Sequence, residues 1–262
     1  MPEPRDDEFY VGYLPQAPPA IASHVRVAVA LILVLAAGLG LLLVNAQKRF
    51  APAVYEFGAS TEFTGWVRER PYPMLLVRRP GRPGGEPAFS TYFLTVFGKR
   101  GAEARVAGLD GRAVTLRGAL IYRDGKTMID VEDGSVAPLD VAAAERLKAA
   151  MPAAEEDLGV HTFVGEIVDS KCFLGVMKPG NLKAHRSCAA RCISGGIPPV
   201  LVVRDAEGMA TYLLLVSEDG EAVNRQVLEL VAQPVEITGR VVRLGDQLML
   251  EADPDGYRLT DG

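Results

Sequence analysis

The chain has 262 residues, enough for one large domain or two small ones. Hydrophobic residues make up 48% and charged residues 23%, which is typical of a globular protein. The net charge of −5 argues against a general nucleic-acid binder, because such proteins are usually basic, and we expect no nucleic-acid partner.

An apolar run near the N-terminus predicts a transmembrane helix over residues 27–47. Residues 27–44 include no polar side chain, and the run extends through Gln47 to the basic pair at 48–49. A helix of this length covers about 30 Å, the thickness of the hydrocarbon core of a bilayer. Residues 1–26 form a long segment for a signal peptide, so a retained anchor is favoured over a cleaved signal.

The flanking charges leave the membrane orientation nearly balanced. Arg5 and Arg26 precede the apolar run, and Lys48 and Arg49 follow it. A short tail before a single span is a common layout for a cytoplasmic N-terminus. The abundance of Ala, Gly, Arg and Pro over Lys and Asn is typical of a bacterial genome of high GC content. We therefore expect a single-pass protein of the bacterial inner membrane, with residues 48–262 in the periplasm.

The rest of the chain contains a cryptic internal repeat. Four segments of the first half recur in the same order in the second half, and such ordered matches indicate a duplication. The matched pairs are 63–67 with 163–167, 92–96 with 212–216, 114–120 with 235–241, and 126–130 with 247–251. The offset grows from 100 to about 120 after the first pair, so the second copy carries roughly 20 extra residues.

Each copy predicts five short strands with a helix after the third, which is the order of the OB-fold. Glycines 118 and 239 fall within a predicted strand, where a small barrel needs a bend. The fold class is therefore mainly β, with two tandem OB-like five-stranded barrels after one N-terminal transmembrane helix. The predicted strands are 60–69, 73–79, 90–98, 112–123 and 126–132, then 161–169, 198–205, 210–217, 234–244 and 247–252; the predicted helices are 102–108 and 221–232.

These elements define the predicted domain organisation. The predicted segments are a tail (1–26), the transmembrane helix (27–47), a linker (48–57), the first barrel (58–138), a partly helical linker (139–158) and the second barrel (159–262), whose Cys/His insertion spans 170–197. Because the first copy lacks this insertion, the barrel architecture does not require it. The insertion therefore either serves a function or stabilises the second copy locally.

All three cysteines of the chain and one of its three histidines lie in the insertion: Cys172, His185, Cys188 and Cys192. Three sulfurs and an imidazole form a complete tetrahedral ligand set. The last three recur at i, i+3 and i+7, which places them on one face of a helix. Asn181 is the predicted N-cap of that helix, and Gly195 and Gly196 are its predicted end.

Two groups of neighbours are predicted to act on these ligands without binding the metal. Asp169 and Lys171, at the end of the first strand, are the predicted supporting residues, since Asp169 can orient His185 or Lys171. The basic residues Lys183, Arg186 and Arg191 are predicted to favour thiolate over thiol.

The pattern leaves several chemistries open. A closed zinc site and a disulfide from Cys172 to Cys188 or Cys192 are equally consistent with it, and in the second case one thiol remains and no metal is bound. A copper site is a third reading, and a haem or iron–sulfur centre a fourth, although the chain has no Cys-x-x-Cys-His motif.

Three features of this segment are the run from Asp169 to Cys172, the His-x2-Cys-x3-Cys pattern from His185 to Cys192, and the Gly-Gly-x-Pro-x-Val-Leu sequence at 195–201. Together they resemble a signature of small exported or membrane-anchored bacterial proteins. These proteins have no assigned activity, so the resemblance implies export or membrane anchoring and no catalytic role. It covers about residues 163–205.

These observations predict a membrane-anchored, extracytoplasmic metal-binding protein. It would hold zinc or copper through a Cys3His set and act as an accessory or carrier protein of a membrane redox complex, with an integral-membrane or redox protein as partner. The alternative is a structural or assembly protein whose second barrel is stapled by a disulfide. The sequence has no Gly-x-Ser-x-Gly, phosphate-binding glycine loop or His-Glu-x-x-His motif, and no catalytic residue is predicted.

Overall fold

The computed structural model describes residues 17–47, 53–79, 88–148 and 155–260. It divides into an N-terminal unit and a unit that begins at Pro52. Positions 1–16 of the predicted tail lie outside the described residues. The linker positions 48–52 and 149–154 lie outside them as well.

The N-terminal unit is a single apolar helix, α1 (Pro19–Gln47). Its segment Ile21–Ala46 is long and apolar enough to cross a membrane, a property that membrane spans share with signal sequences. The helix begins eight residues before the predicted start at 27.

The second unit is built from β-strands, and the predicted architecture is confirmed: two closed five-stranded barrels follow the apolar helix. In the first barrel the closing strands are β2 (Thr61–Arg68), β3 (Met74–Arg79), β4 (Ala88–Val96), β6 (Ala113–Arg123) and β7 (Lys126–Val131). In the second they are β9 (Glu156–Asp169), β10 (Pro199–Arg204), β11 (Ala210–Val216), β12 (Pro234–Leu244) and β13 (Gln247–Glu251).

The two barrels close in the same way. β4 pairs in parallel with β7, and β11 pairs in parallel with β13, while the other closing pairs are antiparallel. Short strands flank the first barrel and the end of the second: β1 (Ala53–Tyr55), β5 (Arg100–Gly101), β8 (Ala137–Pro138) and β14 (Arg258–Leu259). The helices of this unit are α2 (Glu103–Val106), α3 (Val141–Lys148) and α4 (Arg186–Ser194).

Equivalent glycines permit the close strand crossings that the repeat predicts. A Cβ atom on Gly118 would lie 2.4 Å from the carbonyl oxygen of Asp130 on β7, and one on Gly239 would lie 2.4 Å from that of Glu251 on β13. No side chain fits at that distance, so both positions require glycine. The structural equivalence supports the duplication inferred from the sequence.

The helix predicted over 221–232 is wrong. Turns and a short 3-10 segment (Leu228–Leu230) occupy this stretch. Asn224 donates its side-chain amide to the carbonyl oxygens of Ile193 and Ile197, and the Val223 N–H donates to Tyr72 Oη. These long-range hydrogen bonds hold the backbone in turns, and Val223, Val227 and Val231 are buried without a helix.

One hydrophobic cluster joins the two barrels. Its first-barrel members are Tyr72, Met74, Phe93, Ile121 and Met128; the larger second-barrel set includes Val168, Phe173, Val200, Tyr212, Leu214 and Met249. Each barrel also has its own interior cluster. The hydroxyl of Tyr72 donates to the carbonyl oxygen of Leu215 at 3.1 Å, so this buried aromatic residue is part of the inter-barrel core.

Candidate metal centre

The insertion of the second barrel connects β9 to β10 and folds into three short helical segments. A π-helical turn (Cys172–Val176) follows β9 almost directly, and a 3-10 turn (Lys183–His185) leads into α4. The Cys172 N–H donates to Asp169 Oδ1 at 2.8 Å, so the last residue of β9 fixes the start of the insertion. The backbone of Cys172 is therefore attached by a hydrogen bond to the end of a barrel strand.

The start of α4 differs from the prediction. Asn181 is not its N-cap: the helix begins at Arg186, after a 3-10 turn preceded by Leu182, whose φ of 65° is in the left-handed region. The Leu182 N–H instead donates to Glu166 Oε1 at 2.5 Å, which anchors the turn to β9. The predicted end is confirmed, since Gly195 is the C-cap.

Cys188 and Cys192 approach Cys172 from one face of α4. The Cys172 Sγ lies 4.0 Å from the Sγ of Cys188 and 3.9 Å from that of Cys192. All three cysteines are free. These separations are about twice the ~2.05 Å bond of a disulfide. They match the ~3.8 Å edge of a tetrahedral site with zinc–sulfur bonds of about 2.3 Å.

His185 lies near Cys172 and Cys188 and contacts Asp169. The His185 Nε2 lies 3.0 Å from Asp169 Oδ2, and the two residues are 3% and 0% exposed. A carboxylate that binds one ring nitrogen fixes the ring and leaves the other nitrogen, Nδ1, for a metal. The contact is the one that an orienting role for Asp169 requires, and that role stays a prediction.

The candidate ligand atoms form two overlapping trios that share Cys172. In one trio the ligand atoms of Cys172, His185 and Cys188 lie within 4.8 Å of one another; in the other those of Asp169, Cys172 and Cys192 do so. Each of the four residues predicted as ligands belongs to at least one trio, but neither trio contains all four, so the complete four-ligand set stays a prediction. The sequence predicted Asp169 only as a supporting residue behind the ligands. In the structure its carboxylate lies within 4.8 Å of the Cys172 and Cys192 sulfurs, so Asp169 is itself a possible ligand.

The first barrel contributes a residue that the sequence did not indicate. Lys99, in the β4–β5 hairpin (residues 96–101), donates from Nζ to Cys188 Sγ at 2.8 Å. This contact raises the pKa of Lys99 because the ammonium form is stabilised by the sulfur. The two residues are 89 positions apart, so no local pattern could reveal the contact.

The buried cysteine pair has one thiol that holds its proton strongly. Cys172 faces the sulfur of Cys192, and this contact together with burial raises the pKa of Cys172. The same contact lowers the pKa of Cys192, with Lys99 adding a smaller effect in the same direction. The direction favours a Cys192 thiolate that accepts a hydrogen bond from the Cys172 thiol.

Lys171 joins the insertion to the first barrel. Its Nζ donates to the carbonyl oxygens of Val96 and Gly98 at 2.7 and 3.1 Å, and to Asp130 Oδ1 at 3.3 Å. Burial lowers the pKa of Lys171. Its amine therefore contacts the first barrel, whereas the sequence predicted that Lys171 supports the metal ligands beside Asp169.

The hairpin that carries Lys99 also contacts the end of α4 through its backbone. The Gly101 N–H donates to the carbonyl oxygen of Gly195 at 2.9 Å. A Cβ atom on Gly195 would lie 2.0 Å from the carbonyl oxygen of Lys99, so this approach requires glycine. Both barrels thus shape the cluster, although every sulfur belongs to the second.

Neither a protein-family model nor a curated protein sequence matches the chain. The chemistry of the cluster therefore carries the functional argument. Three sulfurs and an imidazole, with a carboxylate behind the imidazole, are the donors that zinc and copper(I) prefer in proteins.

Proposed function

We propose that the protein binds one zinc or copper ion through Cys172, His185, Cys188 and Cys192. The observation that carries this proposal is the position of Cys172, whose Sγ belongs to one trio of ligand atoms with His185 and Cys188 and lies 3.9 Å from the Sγ of Cys192. A metal ion would satisfy the thiolates and add to the free energy of folding of the insertion.

The charges around the cluster support the bound state. Three thiolates and a neutral imidazole around a divalent ion leave one negative charge, or two around copper(I). Lys99 contacts the Cys188 sulfur, so an ammonium group offsets this charge at the ligand that is least buried. The Asp169 carboxylate holds His185 in one orientation, which reduces the entropy lost when the metal binds.

We propose in addition that the N-terminal apolar helix anchors the chain in the bacterial inner membrane, with the barrels in the periplasm. There the protein would serve as an accessory or carrier of a membrane redox complex. The length and composition of Ile21–Ala46 support the anchor, and a soft-ligand site supports the association with redox metals.

Metal analysis of ligand variants tests the site. Full-length protein is purified in detergent without chelator, and its metal content is measured by mass spectrometry. We expect one zinc or copper per chain, and a loss of most of it in Cys172→Ser and His185→Ala. His161→Ala is the matched control, since His161 is exposed on β9 and lies outside both ligand trios. Equal metal content in His185→Ala and the control would contradict the four-ligand site.

A further inference from the structure

Cys188 differs from the other three ligands in its exposure. Cys172, His185 and Cys192 are at most 4% exposed, whereas Cys188 is only partly buried. An incoming ligand can therefore reach the metal position most easily at Cys188. Ligand exchange at a closed site replaces one ligand by another, and the most accessible ligand is the candidate for replacement.

The surface around Cys188 is basic in an otherwise acidic chain. The insertion 170–197 contains no Asp or Glu and has four Lys and Arg residues besides the buried Lys171, while the whole chain has a net charge of −5. Arg191 is exposed and lies three positions after Cys188, on the same face of α4. Lys99 and Arg100 add two exposed basic side chains from the β4–β5 hairpin.

Two exposed aromatic side chains adjoin these charges. Phe97 lies on the hairpin two residues before Lys99 and is 71% exposed, and Phe57, which is also 71% exposed, has its ring centroid 6.5 Å from that of Phe97. Large aromatic side chains and arginines are enriched where proteins bind one another. We call Phe57, Phe97, Arg100, Arg191 and Cys188 together the Cys188 surface.

We propose that the Cys188 surface docks an acidic protein that exchanges the metal with this chain; the inference rests on the proposed metal site. The partner presents acidic side chains around an apolar contact and a soft donor such as a thiolate. In the exchange the bond from the metal to Cys188 Sγ breaks as a bond to the partner's sulfur forms. The metal keeps its oxidation state, and the released Cys188 thiolate remains paired with the Lys99 ammonium. A lipid headgroup offers the negative charge but no soft donor, so a protein fits both features.

The test measures metal transfer from the full-length protein to two synthetic peptides. Both peptides share a Cys-Gly-Gly-Cys core, which is flanked by glutamates in one and by lysines in the other. We expect transfer to the acidic peptide to be about tenfold faster at low salt, and the difference to shrink as salt screens the charges.

Charge reversal locates the effect. Arg100→Glu should keep its metal, because Arg100 is not a ligand, and should lose or invert the preference for the acidic peptide. Arg258→Glu, an exposed arginine on β14, is the matched control and should behave as the wild type.

Each contrary result is distinct. Equal rates for the two peptides, or an unchanged preference in Arg100→Glu, would overturn the docking surface while the metal site stands. If wild type in nanodiscs loses the preference only when anionic lipid is present, the surface binds lipid rather than a protein. If the purified chain holds no metal, the proposed function fails and the docking surface falls with it.

Discussion

Among the single residues of the candidate centre, Asp169 uses both of its carboxylate oxygens. One carboxylate oxygen accepts from the Cys172 N–H and the other contacts His185 Nε2. The sequence allowed an orienting role for Asp169, because it ends the strand before Cys172. That both oxygens are used could not be predicted, since it depends on where α4 places His185.

Asp169→Asn tests this orienting role. The amide keeps an oxygen for the Cys172 N–H but removes the negative charge beside the imidazole, so we expect metal affinity to fall about 10- to 100-fold. Competition with a chromophoric chelator measures the affinity. Asp157→Asn, on the exposed part of β9, is the control. An affinity equal to that of the control would show that Asp169 is purely structural.

Glu166→Gln tests the carboxyl group that anchors the insertion. Burial raises the pKa of Glu166 above its ordinary value of 4.5, so the folded protein binds that proton more tightly than the unfolded chain does. The stabilising contribution of this group to the free energy of unfolding is therefore at its maximum below about pH 4.5. It is lost as the pH rises through the pKa of Glu166 in the folded protein.

Because glutamine keeps an acceptor for the Leu182 N–H without the charge, we expect Glu166→Gln to gain stability relative to wild type as the pH rises from 4 to 7. Denaturant unfolding at several pH values measures the difference, with Glu207→Gln on an exposed turn as the control. A difference that is constant with pH would contradict the assignment.

At the scale of elements, the insertion depends on a buried ion pair with the first barrel. The side chains of Lys171 and Asp130 are 4% and 6% exposed. Asp130 also accepts a hydrogen bond from the hydroxyl of Tyr55. Removing one partner of a buried pair leaves the other charge uncompensated, which is usually costly.

Lys171→Met should therefore destabilise the protein by about 3 kcal/mol. The comparison is made by denaturant unfolding in the presence of a chelator, so that metal binding does not contribute. Lys178→Met is the matched control, because Lys178 is an exposed lysine of the same insertion. A loss below about 1 kcal/mol would place the pair among weak surface interactions.

The strands were predictable from the sequence and the long-range contacts were not. Alternation in segments such as 114–120 reports which face of a strand is buried, and the repeat strengthened each assignment with its counterpart. Asn224 and Val223, by contrast, bind groups of α4 and of Tyr72, and these bonds replace the predicted helix. Lys99 was missed for the same reason, since its role depends on how the two barrels pack.

At the scale of the whole molecule, the two barrels share one core, so they should unfold together. Tyr72 is central to it: its hydroxyl donates to Leu215 and accepts from the Val223 N–H, 143 and 151 positions away. The burial of apolar side chains from both barrels in one cluster couples their stabilities.

Tyr72→Phe should lower the free energy of unfolding by about 1–3 kcal/mol, because a buried N–H and a buried carbonyl lose their partner. The barrels should still unfold in a single calorimetric transition. Tyr92→Phe is the control, since the Tyr92 hydroxyl contacts the exposed Arg79 side chain. Two separate transitions in the wild type would contradict the shared core.

The central claim is that the cysteines hold a metal ion, and native mass spectrometry of the full-length protein, released from detergent and purified without chelator, tests it most directly. We expect a mass increase equal to one zinc or copper ion, lost on acidification as the thiolates and His185 take up protons. After the metal is removed, the mass should be that of the fully reduced chain. A metal-free protein two mass units below the reduced chain would instead show a disulfide with one spare thiol, and would contradict the metal centre.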